Sequence, residues 1–525
     1  MPPMSPRVML ANVRRLAAMD VLYGGVVLAF TAAAAGVWWL SVIVPAMDYP
    51  QFLVFARAVE DYGNPASPFH GTYTTASWLM PAALPVYVTI ALSRLAGGSL
   101  ETAGKLLLSF ASIGMVAAGV FLLRTLGRPR WAIVLIFPLI LSRWTLVGGY
   151  IVFATSLPFV VLAWALAVRW LRRLDVPSGT ALAACLCVTF FWHGIGYVLA
   201  GLGFGSLWCA WRAPSMRARL LSVWPTALSL LLFAAWMSST FGQHNAARST
   251  PPAWRSLGEA AGSIVEYVWV SVPNAQSWAL ALVALIAAGW VWDRTGVGRG
   301  SGVGASTVAR EGIWRARPLS VIAGACLVAY LFIQSRFDQV EGVSIRFAYP
   351  AALALLLGWD LPRGRTPRAL VIASVGLLSG LSLGDVAARM RSFDEDTRGA
   401  SALIDRIGAG DTLYFNAPER GVSKDFAPAH PCLRELQQVA TIRHGGLPNS
   451  SFAGYGCNYV RYVGGRNPMP GLSGPARWGS AMTRFDYVLA RQGQGPADAR
   501  FRLVASAAGW QLFGVCGSAR FPVCS

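Results

Sequence analysis

The chain has 525 residues, 55% of them hydrophobic and 13% charged, with a mean hydropathy of +0.49. A soluble domain carries roughly 25% charged residues, so this composition excludes an ordinary cytosolic enzyme and any disordered or fibrous protein. The formal net charge of +20 comes from basic residues clustered between apolar runs, which fits the cytoplasmic anchors of a membrane protein rather than a nucleic-acid surface.

In chain order, residues 1–19 carry Arg7, Arg14 and Arg15 and no acid, and an apolar run follows at 20–44. That pattern predicts a retained first helix with its N-terminus inside. Residues 45–78 then form an outside loop. Further apolar runs lie near 79–97, 103–123, 131–147, 151–168, 179–192, 194–211, 220–240, 275–292, 318–333, 345–359 and 367–385. Each is long enough to be a helix of its own, so the prediction is a polytopic α-helical membrane protein of about 12 transmembrane helices rather than a barrel. Arginine-rich breaks at 124–130, 169–173, 212–219, 293–317 and 363–368 alternate with arginine-poor ones, among them the long loop 241–274. One conflict stands. The outside loop 45–78 and the basic break at 124–130 need an odd number of crossings between them, yet two apolar runs lie there. Either one run is re-entrant or lies flat, or Arg124, Arg128 and Arg130 sit outside, so the reading is 11 to 13 crossings.

The character changes over 386–525. Hydrophobic runs shrink to strand length at Thr412 to Asn416, Tyr487 to Arg491, Phe501 to Ala505 and Trp510 to Val515, with turn residues between them. The chain is therefore divided into a multi-pass part, 1–385, and a small α/β domain, 386–525, which the alternation of breaks places outside. That domain holds Cys432, Cys457, Cys516 and Cys524. An even count in an oxidising space suggests two disulfides, Cys516 to Cys524 the favoured pair, against four free thiols. Cys185, Cys187, Cys209 and Cys326 fall in apolar runs and read as small fillers.

No Walker lysine loop, HExxH, paired CxxC or GxSxG elbow is present. Acids, histidines and arginines gather instead at the outer ends of the runs, where ionisable groups are functional candidates. Asp48 follows the first run in Pro45-Ala46-Met47-Asp48-Tyr49-Pro50. A carboxylate there can serve as a general base or cap the short interfacial helix that the spacing of Phe52, Phe55, Ala56 and Val59 predicts. Glu60 and Asp61 close that helix and are the further acidic candidates. His193 sits in a tight outer turn, suited to binding a phosphate or moving a proton, or else to satisfying loose carbonyls as a polar turn residue. Arg336 and Arg346 flank an outer loop that also carries Asp338 and Glu341. Their planar forks suit either a phosphate or those carboxylates. Arg143 and the turn Gly148-Gly149-Tyr150 complete the set. The candidates are thus Asp48, Glu60 and Asp61 as catalytic, with Tyr49, Arg143, Tyr150, His193, Arg336 and Arg346 as substrate-binding.

This order of features resembles the C-type (GT-C fold) superfamily of integral-membrane glycosyltransferases, in an uncharacterised bacterial branch. The likeness lies in an N-in first helix, the acid Asp48 just past it, Glu60-Asp61 further along the first large outer loop, the turns at Gly149-Tyr150 and His193, and the loop leading to Arg346-Phe347. There is no WWD-type signature, and Tyr49 stands where many members carry a second acid. The resemblance implies transfer of a sugar from a polyprenyl-phosphate donor to a glycan, lipid or protein acceptor of the cell envelope, with inversion, at the periplasmic face of the bacterial inner membrane. It implies Asp48 as base and Arg346, with Arg336 or His193, on the leaving phosphate. No cofactor is fixed by it, though it leaves room for a divalent cation. Competing readings are a lipid-linked-glycan transporter or flippase and a non-catalytic anchoring protein.

Overall fold

A computed structural model describes residues 21, 23–46, 48–76, 79–141, 151–238, 253–268, 318–334, 336–337, 340–359, 365–417, 433, 436–449, 453, 459–465, 469, 478–496 and 498–522. In chain order the elements are α1 (Tyr23–Trp39), α2 (Asp48–Glu60), β1 (Tyr73–Thr75), α3 (Ala83–Leu95), α4 (Leu100–Thr125), α5 (Arg130–Ile140), α6 (Ile151–Arg173), α7 (Val176–Trp192), α8 (Gly194–Ala210), α9 (Met216–Leu221), α10 (Trp224–Trp236) and α11 (Leu257–Val268). Then come α12 (Pro318–Phe332), β2 (Arg336–Phe337), β3 (Val340–Glu341), α13 (Ser344–Gly358), α14 (Arg365–Ile404), β4 (Leu413–Phe415), α15 (Leu436–His444), β5 (Val460–Tyr462), β6 (Tyr487–Arg491), β7 (Phe501–Ala507) and β8 (Trp510–Val515). Among the described residues α4, α6 and the stretch 368–404 of α14 are long and apolar enough to cross a membrane, and eight shorter apolar helices pack with them. This is an integral membrane protein.

Local sequence explains the helix ends. Ser99 Oγ accepts from Thr102 N–H at 3.1 Å and Asp175 from Ser178 N–H at 2.8 Å, capping α4 and α7. Arg124 and Arg172-Arg173 stand in the last turns of α4 and α6, against the negative helix ends. Arg128 Nη1 donates to the carbonyls of Leu357 and Trp359, at 3.0 and 3.1 Å, closing the end of α13. The central helix is α6, apolar and buried on nearly all sides. Pro158 inside it packs against Gly114 of α4, and Trp164 fills the space left by Gly203 of α8.

The helix ends sort onto two faces. One carries the arginines at the ends of α4 and α6, where Arg172 bonds the Thr125 carbonyl and Tyr23 the Arg130 carbonyl. The other carries α2, the turn at His193 and the C-terminal sheet. Both ends of α3 lie on that second face. Pro81, just before it, abuts Gly194 at the start of α8, and the Gly97-Gly98 turn after it leads into Glu101, which pairs with Arg443 of α15. At 13 residues the helix is about 20 Å long against a hydrocarbon core of about 30 Å. The run at 79–97 thus begins and ends on the face that carries α2, and the basic break at 124–130 lies on the other face.

The run that ends at 385 by composition continues as helix to Ile404. Its polar end packs on the C-terminal four-stranded sheet, of order β4-β6-β8-β7 with β4 and β6 parallel and the rest antiparallel. Trp510 Nε1 donates to the Asp396 carbonyl at 2.8 Å, and Arg491 clasps the Asp396 carboxylate with two bonds of 2.8 and 2.7 Å. Alternate strand residues part cleanly. Leu413, Phe415, Leu489, Trp510 and Leu512 join the main core with the helices, while Tyr414, Val488, Phe513 and Val515 form a smaller core on the other face. A second pairing ties the first loop to the C-terminal segment. Tyr73–Thr75 runs antiparallel to Val460–Tyr462, with Tyr73 stacked on Tyr462 at 5.1 Å.

Cys516 is disulfide-bonded; Cys432, Cys457 and Cys524 lie outside the described residues. Cys185, Cys187, Cys209 and Cys326 are free.

Candidate functional site

Asp48 opens α2. Pro50 sits in the first turn, where its missing N–H breaks no intrahelical bond. The next residue sets the direction of Asp48. Tyr49 is buried, its hydroxyl donates to the Glu101 carbonyl at 3.0 Å, and its ring lies where a Cβ on Gly104 would stand. Tyr49 is thus spent on packing α2 to α4, and Asp48 turns to another side. Gln51, three residues on and buried, shares the Asp48 side of the helix.

Asp48 Oδ1 is buried with no hydrogen-bond partner among the described residues. Burial pushes the carboxyl up from 3.8 to about 7, and the Arg346 guanidinium pulls the other way. Arg346 comes from the 3-10 turn Ser344–Phe347 that opens α13, and is 6% exposed. Its guanidinium lies over the Phe153 ring, 5.6 Å from the centroid. Phe153 meets the His193 ring edge-on at 5.4 Å. His193 ends α7 and caps α8, its Nδ1 accepting from Gly196 N–H at 3.1 Å. That bond leaves Nε2 as the N–H donor of the neutral ring. Gly196 is required there, because a Cβ would run into Ser156 of α6.

His193 and Arg346, from distant parts of the chain, therefore meet at Phe153, and the Arg346 charge reaches Asp48 at the start of α2. Phe153 gave no sequence signal, being one aromatic in an apolar run. Glu60 and Asp61 are set apart from Asp48: they stand at the far end of α2, about 18 Å along its axis, and Asp61 pairs with Arg57 at 3.0 Å. Arg336 lies on β2, across from Glu341 of β3. Arg143 and Tyr150 fall outside the described residues.

The arrangement can hold one proton on Asp48 and one anion against Arg346 and the His193 N–H. No group of three or more His, Cys, Asp or Glu side chains that could hold a metal is present among the described residues, and the charge set against Asp48 is a guanidinium.

No protein-family model and no curated protein sequence matches the chain. Solved structures do. The crystal structure of ArnT from Cupriavidus metallidurans bound to undecaprenyl phosphate is similar with a TM-score of 0.52 and 12% identity, over 95% of this chain and 98% of that one. The cryo-EM structure of the arabinofuranosyltransferase AftD from mycobacteria gives 0.46 and 14% identity, over 94% of this chain and 40% of that one. The oligosaccharyltransferase AglB from Archaeoglobus fulgidus, in complex with an inhibitory peptide and a dolichol-phosphate, gives 0.45 and 10%, over 90% and 70%. At such identities the likeness is one of fold. The chain has the fold of the GT-C membrane glycosyltransferases over about 95% of its length.

Proposed function

We propose that the protein is an inverting membrane glycosyltransferase that moves a sugar from a polyprenyl-phosphate donor to a cell-envelope acceptor. The observation that carries this reading is a buried carboxyl with an unpartnered oxygen, Asp48, in the field of Arg346, whose guanidinium shares the Phe153 ring with His193. In this reading Asp48 Oδ1 takes the proton of an acceptor hydroxyl. The hydroxyl oxygen bonds to the anomeric carbon from the side opposite the phosphate. The bond from that carbon to the phosphate oxygen breaks, and its electron pair stays on the phosphate. Arg346 and the His193 Nε2–H stabilise the charge that develops there. A carboxyl poised near neutrality is matched to this proton transfer. The ligand in the ArnT structure, undecaprenyl phosphate, supports the donor class. The proposed location is the bacterial inner membrane, with the sheet on the periplasmic side. A carrier would need its essential polar groups at mid-membrane, whereas Asp48 and His193 lie at helix ends.

The test is incubation of purified protein in nanodiscs with a panel of polyprenyl-phosphate sugars and an envelope acceptor extract, following free polyprenyl phosphate. Release that depends on acceptor is expected. Bound lipid that stays intact across the whole panel sinks the reading.

His193 separates its two roles in a variant. Asn keeps a capping side chain for α8 and lacks the Nε2–H. His193→Asn is expected to lose about 10- to 100-fold in kcat, the worth of one hydrogen bond to a charged group, with a melting temperature close to wild type. Undiminished kcat would confine His193 to capping.

A further inference from the structure

We propose that Arg443, in the C-terminal segment, is a positioning residue for Asp48 that acts through Glu101 and Tyr49. The inference rests on the reading of Asp48 as the base. Arg443 lies on α15, which packs against α2 directly. Its Nε and Nη2 hold the two oxygens of Glu101 at 2.9 Å each, and its Nη1 bonds Ser401 Oγ and Asp405 Oδ1 of the α14 end, also at 2.9 Å. The side chain of Arg443 is 15% and that of Glu101 20% exposed, so this is a bidentate, largely enclosed pair rather than a solvated surface contact. One guanidinium thus joins α4, α14 and α15.

Glu101 stands in the first turn of α4, next to its cap Ser99. Its side chain faces Arg443 and its carbonyl receives the Tyr49 hydroxyl. Tyr49 is the neighbour of Asp48 and is held flat against Gly104. The helix α2 is therefore held from two sides, at its start by α4 through Tyr49 and elsewhere along it by α15, and Arg443 is the bolt between α4 and α15. The charged and titratable groups that act on this end of α2 are Arg346 from α13 on Asp48 and Glu101 from α4 on Tyr49. The anion end of the site is separate, since the Arg443 bonds run to Glu101, Ser401 and Asp405 and not to Arg346 or His193. Cutting the bolt lets α4 and α2 shift, so that Asp48 loses its place relative to the acceptor and its shelter from water, while the phosphate end stays as it was.

The test uses the full chain in nanodiscs, with Arg443→Met, Arg443→Lys, Glu101→Gln and the Met/Gln double variant. Two readouts are taken: kcat and KM for the donor, and labelling of Asp48 by a hydrophobic carbodiimide, which reacts with a protonated carboxyl, against pH by mass spectrometry. Arg443→Met is expected to lower kcat about 10- to 100-fold, the effect of a misplaced reacting group, and to leave KM within about twofold. The pH at which Asp48 labelling fades, about 7 in the wild type, moves down toward the ordinary carboxylate range. The double variant is no worse than the worse single, and Lys restores part of kcat. A folded Arg443→Met protein with wild-type kcat and labelling overturns the proposal, as do losses that multiply in the double variant. If wild type releases no polyprenyl phosphate, the functional reading fails, and the labelling curves alone still decide the positioning. Should Arg443→Met fail to fold, Glu101→Gln carries the same two readouts.

Discussion

Asp48→Asn is expected to lower polyprenyl-phosphate release by about 10²- to 10⁴-fold, the usual contribution of a general base, and at the same time to stabilise the protein. The two effects share one cause. The Asp48 carboxyl binds its proton more tightly in the folded chain, at about 7, than at its ordinary value of 3.8. Ionising it in the fold therefore costs stability. The cost is absent below pH 4, grows between about 4 and 7, and is complete above 7, where it amounts to about 2–4 kcal/mol after allowance for the part-exposed residue. Wild type should melt higher at pH 5 than at pH 8 through this group, and the Asn variant should lack that part of the slope. Thermal melts of detergent-purified protein at both pH values check this. The rate has the opposite sign, because the base works as carboxylate. Wild-type kcat/KM should rise with pH up to about 7 and level off. An Asn variant with full activity, or one that melts lower at pH 8, removes Asp48 from the centre.

For Arg346→Met the expected loss is about 10²- to 10³-fold in kcat, on the scale of losing one donor aimed at developing negative charge. Here stability moves the other way. Arg346 favours the Asp48 carboxylate, so removing it pushes the Asp48 pKa further up and shifts the acid limb of the rate profile to higher pH. At pH 8 the variant is left with a buried carboxylate lacking its counter-charge and should be destabilised, while at pH 5 the effect fades because Asp48 is protonated. Placed in the Asp48→Asn background, Arg346→Met should cost much less at pH 8, since the charge it shields is gone. Melting curves of the four proteins at two pH values decide it. An equal penalty in both backgrounds would mean that Arg346 serves packing through its stacking on Phe153 and not Asp48.

The sequence by itself determined the membrane class, because apolar runs and arginine-rich breaks are local patterns. It also determined the strands Tyr487–Arg491 and Trp510–Val515, whose residues alternate between two cores, and the short helix after Asp48. These depend on neighbours a few residues away, and so can be read along the chain. Tertiary structure alone decided the rest. The apolar run at 79–97 shows in the structure as a helix of 13 residues, α3, with both ends on one face. The helix α14 looked finished at 385 because its last turns are polar, yet the sheet it packs on supplies Trp510 and Arg491 to cover them. Asp48, His193 and Arg346 could each be named as an ionisable group at a helix end. The meeting of His193 and Arg346 at Phe153, the reach of the Arg346 charge to Asp48, and the distance of Glu60 and Asp61 from Asp48 followed only from how the helices pack. Tyr49 has the same cause, since Gly104 on α4 and the Glu101 carbonyl turn it away from Asp48. The physical reason is range: hydrophobic periodicity acts within a few turns of helix, whereas a site's charges are brought together by contacts between segments that have no fixed spacing in the sequence.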